Sequence, residues 1–115
     1  MDQRLSGHLK EGMKILDVGP GEAWAMDYFK EKQCSYYAIE PIKKLADSIL
    51  AKGGKVIGDS LFQQYPEFQG QFDIVIFRHV LEHMSVPLIA FSNLKGFMKS
   101  EALLYSHCQT GLIFQ

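Results

Sequence analysis

The sequence is short of cysteine, of long apolar runs and of net charge, and each shortage excludes a class of protein. Cys34 and Cys108 are the only two cysteines in 115 residues. They supply neither a disulfide framework nor a paired metal or redox spacing, so reduced thiols in a cytoplasm are expected. No stretch is apolar and long enough to span a bilayer, and the first residues show no signal-peptide pattern. Twelve Lys and Arg against thirteen Asp and Glu leave a net charge of −1, which draws the chain neither to nucleic acid nor to an anionic membrane. Basic patches with interleaved aromatics are missing too, so nucleic acid is not an expected partner. What is present is an ordinary apolar share, 47%, enough for one domain with a real core.

The chain is organised around residues 14–23, KILDVGPGEA. An apolar run enters Asp17, Gly19 and Gly21 bracket Pro20, and a helical pattern follows. Strand, glycine turn and helix in that order let a backbone approach a nucleotide-like ligand closely. Further strands are expected at 35–39 (SYYAI), 55–58, 72–77 (FDIVIF) and 102–105, the continuous apolar ones as parallel strands buried on both faces. Helices are expected at 22–32, with Trp24 as a core anchor, and after Pro41, where Ile42, Leu45, Ala46, Ile49 and Leu50 form a stripe that Gly53-Gly54 ends. A third helix begins near Ser85 and Pro87, with Ala90, Phe91, Leu94, Phe97 and Met98 on its apolar face. Residues 60–71 read as a loop. Strands alternating with helices predict an α/β fold: a doubly wound, mainly parallel Rossmann-like sheet of about five strands in the order 3-2-1-4-5, with helices on both faces. A short arm, 1–12, precedes the domain at 13–115.

Three successive strands end in an acid: Asp17, Glu40 and Asp59. In a wound sheet such ends lie side by side along one crevice. Glu40 follows Asp17 by 23 positions, close to the offset of about 20 at which an acid meets a ribose hydroxyl in nucleotide-binding folds. A carboxylate there accepts two hydrogen bonds from a vicinal diol.

These stretches resemble the class I S-adenosylmethionine-dependent methyltransferases, over residues 13–105. ILDVGPGEA looks like their first motif, YYAIEP their second, VIGDS their third and FDIVIFRHVLEHM their fourth. HVLEH after a buried strand is the most specific, and points to the small-molecule enzymes. The resemblance implies S-adenosylmethionine as cofactor and methyl transfer to a small-molecule acceptor. It implies that Asp17 and Gly19, with Gly21, face the methionine part, that Glu40 holds the ribose hydroxyls, and that Asp59 meets the adenine amino group beside Ser60 and Leu61. His79 and His107, near the ends of strands four and five, are candidate bases for an alcohol or phenol acceptor.

The chain departs from the family pattern at Ala23, where a third glycine is usual, at Arg78, and at Lys99-Ser100-Glu101, which replace a glycine turn before the fifth strand. The two strands that close the family's sheet are expected to be absent. That would leave the fifth strand as an edge and residues 111–114 as uncovered apolar surface, favouring a homodimer through that edge and poor turnover by this chain alone. Three rival readings stand beside this one. His79, Glu82 and His83 fit H-x-x-E-H, a zinc-peptidase pattern, but no third ligand is in view and no metal is expected. A nicotinamide-binding Rossmann domain would want a third glycine to complete G-x-G-x-x-G, and none follows Gly19 and Gly21 at that spacing. A non-catalytic S-adenosylmethionine-binding module or subunit would need only the crevice.

Overall fold

The apolar runs become strands because each is short, rich in β-branched and aromatic residues, and closed by a turn. The computed structural model describes residues 9–19, 26–60, 63–77, 88–106 and 111–114. Among these, β1 (Lys14–Val18), β2 (Ser35–Ile39), β3 (Lys55–Gly58), β4 (Phe72–Phe77), β5 (Met98–Ser106) and β6 (Gly111–Phe114) form one sheet in the order β3-β2-β1-β4-β5-β6. The first five run parallel, and β6 is antiparallel to β5. β1 lies between β2 and β4, so the order reverses beside it, the switch point at which wound sheets open a crevice.

Three helices are described: α1 (Met26–Glu31), α2 (Lys43–Ala51) and α3 (Leu88–Gly96). Met26 and Phe29 of α1 and Ile49 of α2 pack on one face of the sheet, against Ile15, Tyr36, Ala38, Ile74 and Ile76. On the other face, Leu94 of α3 joins Tyr65, Phe72 and Phe97 over Leu16, Tyr37, Ile39 and Val75. Alternate residues of β1 and β2 thus face opposite cores, as the period of two in a strand requires. Among the described residues no helix is long and apolar enough to cross a membrane.

Several boundaries differ from expectation, each for a physical reason. β5 begins at Met98, well before residue 102, so Phe97 and Met98 lie beyond α3 rather than on its apolar face. Lys99, Ser100 and Glu101 are inside β5, where pairing with β4 shifts register between Phe72 and Ile74. Lys99 Nζ anchors the shift by reaching Asp73 Oδ1 at 3.0 Å. The stretch 60–71 contains a 3-10 turn at Pro66–Phe68. Of the α2 stripe only Ile49 is buried; Ile42, in extended backbone ahead of the helix, and Leu50 are 55% and 52% exposed. Residues 22–25, Trp24 included, lie outside the described residues.

The largest correction concerns the end of the sheet. Residues 111–114 are β6, paired with β5 through Leu103↔Phe114 to Ser106↔Gly111. β5 is therefore not an edge, and the ground for a homodimer through it is removed.

Candidate functional site

The register of the sheet assembles the crevice. Val18 pairs with Ile39 and Ile39 with Gly58, so β1, β2 and β3 end level with one another. Two backbone bonds carry the alignment just past the strands. The Gly19 N–H donates to the Ile39 carbonyl at 2.9 Å, and the Glu40 N–H donates to the Gly58 carbonyl at 3.1 Å. Gly19, Glu40 and Asp59 are thereby brought to one edge, as the spacing of the acids requires. Gly19 has φ +69°, and a Cβ built there would meet nothing within 4 Å among the described residues. Its glycine is demanded by the left-handed backbone.

The three acids are held differently. Asp17 is fully buried and faces the same side of the sheet as Ile15 and Ala38. The Tyr36 hydroxyl, itself buried, donates to Asp17 Oδ2 at 2.6 Å, the length of a strong O–H···O bond. Asp17 is thus a braced group beneath the crevice rather than an open carboxylate at its rim. Glu40 is 3% exposed, and its Oε2 accepts the Ile42 N–H at 3.0 Å, at the entrance to α2. Asp59 is exposed. Glu40 and Asp59 both line a cavity of about 530 Å³, together with Pro41, Ala46, Gly58 and Gln63.

Sequence reasoning missed Tyr65. Its hydroxyl donates to the Ser60 carbonyl at 2.6 Å and lies 3.4 Å from the Ser60 N–H. Burial, with Asp59 nearby, pushes its pKa above the ordinary 10.0, although the bond to Ser60 opposes the shift. Tyr36 was visible only as one of the apolar residues of β2; nothing local marks it as the partner of Asp17.

Gly21, Leu61, His79 and His107 lie outside the described residues, as does the H-x-x-E-H stretch. Among the described residues no three His, Cys, Asp or Glu side chains gather as a metal site. Cys34 is buried as a free thiol, and desolvation raises its pKa, with Asp73 adding to the shift. It faces no part of the crevice: its Sγ lies 3.5 Å from the Lys10 carbonyl, at the opposite end of the sheet.

The model of a methyltransferase domain family matches residues 3–111. The chain belongs to the class I S-adenosylmethionine-dependent methyltransferases. The cofactor of that family is S-adenosylmethionine. No curated protein matches the chain. Among solved structures it is similar to a SAM-dependent methyltransferase from Aquifex aeolicus, at 24% identity over 90% of this chain and 61% of that one, with a TM-score of 0.70. A SAM-dependent methyltransferase from Methanosarcina mazei aligns at 16% identity over 92% and 57%, with a TM-score of 0.75. The cyclase SpnF aligns at 20% over 85% and 39%, with a TM-score of 0.67. The chain thus spans 39–61% of the length of these three. At such identities the likeness speaks for the fold, and the presence of a cyclase illustrates that fold alone does not set the chemistry.

Proposed function

We propose that the chain binds S-adenosylmethionine in the crevice at the ends of β1, β2 and β3 and transfers its methyl group to a small molecule. The observation that carries this reading is the convergence of Gly19, Glu40 and Asp59, with Glu40 buried beside a cavity of about 530 Å³. That volume lies within the range of about 300–1,000 Å³ usual for small-molecule sites. The residue types fit the group as well. Carboxylates favour a ligand carrying a sulfonium and an ammonium, and would repel the pyrophosphate of a dinucleotide.

In this reading Glu40 accepts hydrogen bonds from the ribose hydroxyls. Gly19, with Gly21, leaves room for the methionine portion, and Asp17 acts there from beneath through the position Tyr36 gives it. Asp59 accepts from the adenine amino group, flanked by Ser60 and Leu61. When bound, S-adenosylmethionine supplies a methyl group activated by the positive sulfur. The chain's own part is to align an acceptor with that methyl and to keep water out. An alcohol or phenol acceptor also needs a base, the role proposed for His79 or His107.

The nicotinamide reading is weakened by the missing third glycine: in the spacing G-x-G-x-x-G that begins with Gly19 and Gly21, the last position is Trp24. A second reading keeps cofactor binding and drops turnover, because the crevice of Gly19, Glu40 and Asp59 speaks for a bound ligand and not for an acceptor. Calorimetry with S-adenosylhomocysteine tests what both share. About micromolar affinity is expected, and a wild-type protein that gives no binding heat overturns the proposal. Transfer of a labelled methyl group into a mixture of small molecules then separates an enzyme from a binding module.

A further inference from the structure

Tyr65 holds the outer wall of the cavity from behind. It lies just ahead of the 3-10 turn, is 7% exposed, and its ring rests 5.8 Å from that of Phe97. The ring passes directly over Gly58: a Cβ added there would lie 2.6 Å from Tyr65 Cζ. Only glycine permits that approach, and Gly58 immediately precedes Asp59. The hydroxyl then reaches the far side of the same turn. It donates to the Ser60 carbonyl at 2.6 Å and lies 3.1 Å from Gln63 Oε1. The backbone bond that closes the turn, from the Gln63 N–H to the Ser60 carbonyl, is longer at 3.4 Å. Tyrosine therefore provides the shorter of these two bonds to the Ser60 carbonyl, and it touches Gly58, Ser60 and Gln63 at once. Gly58 and Gln63 line the cavity on either side of Asp59.

We infer that Tyr65 is a positioning residue which sets the Asp59–Ser60 turn for an adenine ring and so governs which nucleobase the crevice accepts. The inference rests on the reading of this crevice as the nucleoside site. An ionised aspartate only accepts hydrogen bonds. Held in register with a base edge, it favours an exocyclic amino donor, as in adenine, over the carbonyl at that place in hypoxanthine. Released from register, it makes a looser contact with either.

Tyr65→Phe keeps the ring over Gly58 and removes the hydroxyl. Affinities for S-adenosylhomocysteine and S-inosylhomocysteine are measured by calorimetry on both proteins, with a urea unfolding curve for each. The wild type is expected to prefer the adenine ligand by about tenfold or more. In the variant the adenine ligand weakens about three- to tenfold while the inosine ligand stays within about twofold, so the ratio collapses. Equal weakening of both ligands would show a purely structural role and overturn the inference. An unchanged ratio with intact wild-type binding would overturn it too, while leaving the cofactor reading in place. No binding by the wild type would remove both. Gly58→Ala supplies an independent variant: it displaces the ring from its other side and should lower the same ratio, and a ratio kept at the wild-type value would count against Tyr65.

Discussion

Glu40 ends β2 inside the sheet and is 3% exposed, whereas Asp59 follows β3 at the sheet's edge and is exposed. The two acids share one cavity wall but depend on different structures for their places. β2 has a neighbour on each side, so the backbone at its end is pinned twice, by Gly19 N–H to Ile39 and by Glu40 N–H to Gly58. Among the described residues β3 has a neighbour on one side only, and its outgoing turn is gripped by a side chain, Tyr65, from five residues on. The inner half of the crevice is thus a product of sheet register. The outer half is a product of one tyrosine packed over one glycine.

The largest expected effect falls on the inner half. Gly19→Val puts a β-branched residue at φ +69°, a strain of about 1–2 kcal/mol in the left-handed region, and adds bulk where the proposed function puts the ligand. Binding of S-adenosylhomocysteine should disappear from calorimetry while circular dichroism still reports the fold. Undiminished affinity would mean that the inner half is not the site. Next come the acids themselves. Glu40→Ala should weaken binding by about 1.5–3 kcal/mol, because a buried acceptor makes the stronger contribution. Asp59→Ala should cost about 0.5–1.5 kcal/mol, since solvent competes at an exposed position. Equal losses at the two positions would erase the distinction between the halves.

Tyr36→Phe sharpens the comparison through stability. It removes the 2.6 Å bond to Asp17 and leaves that buried acid with its other interaction. A loss of about 1 kcal/mol is expected in urea unfolding, with a smaller effect on affinity because Asp17 lies beneath the crevice. A variant as stable as the wild type would show that the brace contributes nothing.

The strands of both halves were legible in the sequence, whereas the side chains that brace their ends were not. β2, β3 and β4 fall at 35–39, 55–58 and 72–77 as expected, since buried parallel strands are continuous apolar runs closed by Glu-Pro, Gly-Asp or a charged residue. Their alternation with helices implies level ends, and level ends imply that Gly19, Glu40 and Asp59 meet. Tyr65 was hidden because its grip crosses a segment with no periodicity, and its reason for being there is a missing Cβ at Gly58. Tyr36 was hidden because its partner is 19 residues away on another strand. β6 was missed for a related reason. GLIF is too short to declare itself, and its strand character comes from pairing with β5. The start of β5 was misplaced because Phe97 and Met98 continue the apolar spacing of α3 past Gly96, and only the pairing of Met98 with Phe72 reassigns them.

The smallest effect expected belongs to the outer half and appears only in alkali. Desolvation, helped by the negative charge of Asp59, raises the pKa of Tyr65 above its ordinary 10.0 in the folded protein. The unfolded chain therefore releases that proton at a lower pH than the folded one. Below the ordinary value both states hold the proton, and the stabilising contribution of the buried neutral phenol is present in full. As pH rises through 10.0 the unfolded state is favoured by deprotonation, and the contribution is lost on the way to the folded value. The same ionisation would replace the donor to the Ser60 carbonyl with an oxyanion facing it, so the grip on the turn fails in the same window. Wild-type protein should accordingly lose stability between neutral pH and the alkaline range by a small increment that Tyr65→Phe lacks. Urea midpoints measured for both proteins across that range isolate the increment, because the other tyrosines are common to the pair. Parallel curves would mean that Tyr65 titrates alike in the folded and unfolded chain, and that the outer half is held by something other than a buried phenol.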